Sequence, residues 1–128
     1  MINFAEKFFE FSASVSDQPT DRDGRVLFFD GLNTYLRAFA ATPTMCEEGD
    51  HIGGITGFLM SVAATVRLFK PTRVVICFDG RGGSARRRQM FPAYKGHRRS
   101  MTKLNRTYDF ASLEEEKESQ KKQLLTLI

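Results

Sequence analysis

At 128 residues, 41% of them apolar, the chain is one domain at most and long enough to bury about two-thirds of its unfolded surface. No apolar run approaches the roughly 18 residues of a membrane span, and the amino terminus lacks the basic start and unbroken apolar stretch of a secretory signal, so no membrane partner is expected. The net charge of +4 conceals an asymmetry: residues 80–106 hold nine Lys/Arg and no Asp or Glu, leaving ten Lys/Arg against all fifteen Asp/Glu in the other 101 residues, a balance of −5. A cationic block of that kind points to a polyanionic partner.

Residues 1–24 carry two periodicities. Ile2, Ala5, Phe8 and Phe9 recur at helical spacing, while Phe9, Phe11, Ala13 and Val15 alternate with Glu10, Ser12, Ser14 and Ser16 as in a strand. A short helix followed by a loop to Gly24 is the favoured reading of this amino-terminal extension; its phenylalanines either cover part of the core or dock another protein. From Arg25 the pattern firms. Residues 26–29 are continuously apolar, as in a strand buried on both faces of a parallel sheet. Residues 33–41 read as a helix ended near Thr42-Pro43, and residues 46–54 as a loop. Ile55, Phe58, Leu59, Val62, Val66 and Phe69 form one apolar stripe, predicting a helix over 55–69 that Lys70-Pro71 stops. Residues 73–78 form the second buried strand. Ser112 and Glu115 make a capping box that opens a helix running to the chain end, polar all round over 114–123 and apolar in its last turn.

Strand, helices, strand is a crossover unit, so the two strands run parallel and Asp30 and Asp79, at their carboxyl ends, emerge at one edge of an α/β sheet. Two parallel strands do not stand alone, so a carboxy-terminal half or a partner chain is expected to complete the sheet. An aspartate at a strand end, followed by glycine as in Asp30-Gly31 and Asp79-Gly80, is often only a cap or turn residue. Paired at one edge and beside a cationic block, the two are better read as ligands of a hard cation, Mg²⁺ or Mn²⁺. His51 and His97 lack zinc spacing, and His97 adds to the basic surface. Cys46 and Cys77 have no C-x-x-C spacing and read as reduced thiols of a cytoplasmic protein rather than a disulfide.

The basic block interleaves aromatics with cations: Arg86-Arg87-Arg88-Gln89-Met90-Phe91-Pro92-Ala93-Tyr94-Lys95-Gly96-His97-Arg98-Arg99. If helical, it places Arg87, Phe91, Tyr94 and Lys95 on one face, with Pro92 requiring a kink or a new start. Cations for phosphates and a tyrosine for a base are the mix that single-strand contact uses. Residues 80–83 are either a phosphate nest or a flexible hinge. Residues 96–106, rich in like charge and poor in apolar anchors, are expected to be mobile without nucleic acid.

Phe29-Asp30-Gly31-Leu32-Asn33-Thr34-Tyr35-Leu36-Arg37-Ala38-Phe39 resembles the opening segment of the 5′-nuclease superfamily (flap endonucleases and 5′–3′ exonucleases, of PIN-like fold). Phe78-Asp79-Gly80-Arg81-Gly82, through Arg87 to Tyr94-Lys95-Gly96-His97-Arg98, is similar to that family's second block, in the same order and spacing. Thr107-Tyr108-Asp109-Phe110 resembles a segment of the phage replication nucleases called ribonuclease H. The resemblance implies a PIN-like parallel sheet with flanking helices and a basic helical arch over about residues 80–112, within an amino-terminal catalytic portion covering 25–128. It implies that Asp30 and Asp79 are the first two metal-binding carboxylates of a centre that holds two Mg²⁺ or Mn²⁺ ions in the complete enzyme. Arg87 and Lys95, eight residues apart, correspond to the two catalytic cations that orient the scissile phosphate; the adjacent Arg86 and Arg88 leave that register open by one position. Tyr94 resembles the aromatic that stacks on the terminal nucleotide, and Arg81, Arg86, Arg88, Arg98, Arg99, Lys103 and Arg106 would contact nucleic acid along with it. Implied substrates are DNA with a 5′ flap or nick and RNA–DNA hybrid ends, as in primer removal during replication, in the host cytoplasm if the source is viral.

The family's further acidic cluster and helix–hairpin–helix are absent from the chain, and Glu114-Glu115-Glu116 on one capped helix do not replace them. The competing reading is therefore a DNA-binding module that cuts nothing. A PIN-type ribonuclease toxin is disfavoured by the long basic stretch and the Tyr-Lys block.

Overall fold

The computed structural model describes residues 24–80, 82–96 and 103–128. Their order is β1 (Val26–Asp30), α1 (Gly31–Ala41), α2 (Gly53–Phe69), β2 (Arg73–Cys77), α3 (Ala85–Met90) and α4 (Leu113–Leu127). The reading of residues 1–23 as helix and loop lies outside the described residues. Among those described, no helix is long and apolar enough to cross a membrane.

The parallel crossover is present. β1 and β2 pair in register from Val26 with Arg73 to Asp30 with Cys77. Burial on both faces, however, is not. Val26 and Phe28, on one face, are 48% and 68% exposed, while Leu27 and Phe29 on the other are half-buried. A parallel sheet is dry only where helices cover both faces and further strands cover its edges. Here the described sheet has two strands, and α1 and α2 pack chiefly against each other.

The core accordingly sits among helices. Tyr35, Ala38 and Phe39 of α1, Phe58 of α2 and Phe110 form it, with Leu104, Leu124 and Leu127 packed around them. The Tyr35 hydroxyl donates to the Gln120 carbonyl at 2.6 Å, tying α1 to α4, and burial pushes that phenol's pKa up.

Helix starts follow local chemistry. α1 begins two residues before the predicted Asn33, because Asp30 caps it: its Oδ1 accepts the Asn33 N–H at 3.0 Å. Gly31 is needed there, since a Cβ at that position would stand 2.8 Å from the Phe78 ring and 2.9 Å from the Cys77 carbonyl oxygen. α2 likewise starts earlier than its apolar stripe predicts, at Gly53, where the Gln123 Oε1 accepts the Gly54 N–H at 2.9 Å. A Cβ on Gly53 would overlap the Thr42 carbonyl oxygen. Gly53→Ala is therefore expected to lower stability by about 3 kcal/mol, measured by urea denaturation followed by circular dichroism. The predicted capping box opens α4: Ser112 accepts the Glu115 N–H at 3.1 Å, and the Glu115 Oε2 accepts the Ala111 N–H at 2.7 Å.

The polar middle of α4 is in part buried, for Glu116 and Gln123 are 3% and 4% exposed. The anticipated mobility of residues 96–106 does not extend to 103–106. There Asn105 is 8% exposed and the Arg106 N–H donates to the Ala40 carbonyl at 2.9 Å. Polar partners hold that stretch, together with Leu104 packed against the core. Residues 97–102 lie outside the described set.

Candidate active site at the carboxyl edge of the strands

Asp30 closes β1, and its register partner on β2 is Cys77. Asp79 follows two residues later, so both carboxylates leave the sheet at one edge, and both are exposed. One Asp30 oxygen is committed to the cap of α1. The bland reading of that aspartate is thus true, and among the described residues no hydrogen bond engages its second oxygen. The turn after Asp79 folds back on it: the Gly83 N–H donates to the Gly80 carbonyl at 3.1 Å, and Gly82 adopts φ +76°. A Cβ on Gly83 would come within 3.2 Å of the Asp79 Cβ and 3.3 Å of its Cγ. Glycine there lets the turn lie against the carboxylate without displacing it.

The cationic segment is not one helix. α3 spans six residues and ends at Phe91, whose backbone is extended (φ −143°, ψ 94°) as a residue before proline prefers. Arg87, Phe91, Tyr94 and Lys95 therefore do not share a helical face. A turn replaces it, with the Tyr94 N–H donating to the Phe91 carbonyl at 2.9 Å and the Gly96 N–H to the Ala93 carbonyl at 3.0 Å. The fold-back brings the same residues together by another route. Arg87 Nη1 donates to the Tyr94 hydroxyl at 3.1 Å, its guanidinium carbon lies 5.8 Å from the ring centre, and Lys95 Nζ lies 5.2 Å from that centre. Lys95 takes a left-handed backbone, φ +57°. The hydrogen bond to Arg87, with lesser help from the Arg87 and Lys95 charges, holds the Tyr94 phenol below its ordinary pKa. The same bond, then the charges of Tyr94 and Asp79, raises that of Arg87. Arg87 is exposed and Tyr94 only half-buried, so solvent screens these effects.

Arg87, Tyr94 and Lys95 thus form one group, on the stretch that follows Asp79. Arg86 and Arg88 are exposed on α3, whereas Arg81, Arg98 and Arg99 lie outside the described residues. Lys103 and Arg106 are not part of the group. Lys103 Nζ donates to the Phe110 carbonyl at 2.6 Å and sits 3.7 Å from Asp109. Arg106 is tied to Ala40, about 15 Å along α1 from the Asp30 end.

A buried polar cluster at that far end was not anticipated. His51, 3% exposed, directs Nε2 at the Thr42 carbonyl oxygen at 2.9 Å, which requires the proton on that nitrogen. Gln123 Nε2 donates to the His51 carbonyl at 2.6 Å. Asn105 donates to the Phe39 carbonyl, while its Oδ1 accepts the Thr107 and Tyr108 N–H groups at 2.8 and 2.7 Å. Glu116 Oε1 accepts the Leu104 N–H at 2.7 Å. No motif spacing signals these residues. With Glu115 capping Ala111 and Glu116 turned inward, the three consecutive glutamates of α4 offer no joint ligand set, and among the described residues no three acidic, histidine or cysteine side chains converge. A groove of about 910 Å³ between residues 46–55 and α4, rimmed by Glu48, Asp50, Glu115 and Glu118, includes none of the candidate residues.

The family description "5′-3′ exonuclease, N-terminal resolvase-like domain" matches residues 25–115, a span that contains Asp30, Asp79, Arg87 and Lys95. The chain belongs to the 5′-3′ exonuclease family. Its two parallel strands and flanking helices are those of a resolvase-like, PIN-type α/β fold. It is similar to a 5′-3′ exonuclease of Bacillus subtilis (strain 168), with 33% identity over 81 residues, 59% of this chain and 27% of the relative. A 5′-3′ exonuclease of Mycobacterium tuberculosis is 27% identical over 75 residues, 57% of this chain and 24% of the relative. The chain thus spans about a quarter of the length of these relatives. No solved structure matches it at a significant level.

Proposed function

We propose that this chain is the amino-terminal catalytic part of a metal-dependent, structure-specific 5′–3′ exonuclease or flap endonuclease. Its substrates are DNA with 5′ flaps or nicks and RNA–DNA hybrid ends, as in primer removal during replication, and it works in the cytoplasm. The observation that carries this reading is the single edge where Asp30 and Asp79 emerge, followed by the Arg87, Tyr94 and Lys95 group. The donor set fits a hard divalent cation: Asp79 and the free oxygen of Asp30 are exposed carboxylate ligands for Mg²⁺ or Mn²⁺. When bound, such ions supply a hydroxide nucleophile near neutral pH and Lewis-acid stabilisation of the leaving oxygen. Arg87 and Lys95 neutralise charge developing on the scissile phosphate, and the Tyr94 ring stacks on the terminal base. Arg86 and Arg88, with Arg81, Arg98 and Arg99, hold the backbone. Lys103 and Arg106 would meet the nucleic acid farther along the strand.

The two-carboxylate set favours a second reading, a DNA-binding module that becomes a nuclease only when further acids are supplied. The deciding assay follows a 5′-labelled flap with Mg²⁺ or with EDTA, using the chain alone and the chain joined to a carboxy-terminal nuclease half. Mg²⁺-dependent cutting by the joined protein is the expected result. Equal product with EDTA from both proteins sinks the nuclease reading, and cutting by neither beside tight binding selects the module.

Binding itself is expected to be strongly salt-dependent. Replacing Arg86 and Arg88 by serine reduces the slope of log affinity against log salt by about 1.5, as removal of two phosphate contacts requires. An unchanged slope, measured by fluorescence anisotropy on a flap substrate, places those arginines off the nucleic acid.

A further inference from the structure

We propose that the Tyr94 hydroxyl is a positioning group that holds the Arg87 guanidinium in one place before nucleic acid arrives, so that Tyr94 acts through its oxygen as well as through its ring. This rests on the nuclease reading above and goes beyond ring stacking.

Arg86, Arg87 and Arg88 sit on a six-residue exposed helix in which no residue is buried. Successive residues there point about 100° apart, and long exposed side chains lose much freedom when fixed. Nothing in the helix itself selects one arginine of the three. The selection comes from the turn beyond it. Phe91 leaves the helix extended, the Tyr94 N–H closes back on the Phe91 carbonyl, and Tyr94 is half-buried where its neighbours are exposed. Its hydroxyl then meets Arg87 at 3.1 Å across seven residues of sequence.

Two further features fit a built contact. Lys95 holds a left-handed backbone that an ordinary side chain avoids, and its ammonium lies 5.2 Å from the same ring. The ring therefore has both proposed catalytic cations around it, each within the ~6 Å range of a cation–π contact. The reciprocal pKa changes of Arg87 and Tyr94 are those of a shared hydrogen bond. An arginine already held by the Tyr94 hydroxyl needs less ordering when a phosphate arrives.

Tyr94→Phe keeps the ring and removes the oxygen; Tyr94→Ala removes both. The probe is a 5′-flap DNA with 2-aminopurine at its terminal nucleotide. Tyr94→Phe is expected to bind it about threefold to tenfold more weakly while retaining wild-type quenching of 2-aminopurine at saturation. Tyr94→Ala loses the quenching as well. A pH series supplies a readout that a role in folding alone does not move. The charged groups facing the Tyr94 phenol are Arg87 and Lys95, with Asp79 acting through Arg87. Ionisation of the phenol puts a negative charge against Arg87 that competes with phosphate. Wild-type affinity should therefore fall as pH rises through that ionisation, and Tyr94→Phe should lack this alkaline limb. A Tyr94→Phe protein with wild-type affinity and pH profile overturns the proposal while leaving the nuclease reading intact. Wild-type protein that shows no salt-dependent DNA binding sinks both.

Discussion

Asp79→Asn lowers the rate of 5′-flap cleavage by the joined nuclease by roughly a thousandfold while leaving affinity for the same DNA within about threefold of wild type. The substitution keeps the size and shape of the side chain and removes its charge. An amide oxygen is a poor substitute where a hard cation must be held, and loss of several kcal/mol of charge stabilisation translates into that factor. Binding depends on different groups. On the proposed reading the cations of the 80–106 segment are the groups that meet phosphates, and a carboxylate in their neighbourhood opposes rather than assists that contact. Affinity of Asp79→Asn for DNA in EDTA should be equal to or slightly above wild type. Two single-turnover measurements decide the matter, one of cleavage with Mg²⁺ and one of binding with EDTA. Wild-type cutting by the variant removes Asp79 from the metal centre. A parallel collapse of binding assigns Asp79 to folding of the 80–83 turn, whose Gly83 packs against it.

Asn105→Ala is expected to lower stability by about 3 kcal/mol. The side chain satisfies the Phe39 carbonyl and the N–H groups of Thr107 and Tyr108, all near the core. Each orphaned group costs about 1 kcal/mol or more once water is excluded. The loss should appear as a lower urea midpoint with little change in slope. Faster exchange of the Leu104 and Arg106 amides should accompany it, since their acceptors, Glu116 and the Ala40 carbonyl, stay in place only while residues 103–110 lie on the body. An unaltered midpoint shows that solvent reaches these groups and that the cluster contributes little.

Much of the fold could be read along the chain because its signals are local. Two apolar runs ending in Asp-Gly, separated by an amphipathic stripe, specify parallel strands with their acids at one edge, whatever else is packed around them. Ser112 and Glu115 mark the start of α4 for the same reason, since a capping box is closed within four residues. Pro92 warned against a continuous helix, and α3 does stop before it.

What the amino-acid order determined by itself was therefore the succession of elements, the shared edge of Asp30 and Asp79, and the concentration of positive charge that follows. Only the tertiary structure decided which arginine of three meets Tyr94, that Lys103 and Arg106 stand away from the carboxylates, and that His51, Asn105, Glu116 and Gln123 are inside. The physical reason is separation. A periodic apolar pattern reports burial through neighbours three or four residues away, whereas a polar side chain is buried only when a partner satisfies it. Here those partners lie as far apart in sequence as Gln123 and His51 or Asn105 and Phe39, a distance across which no local period carries information.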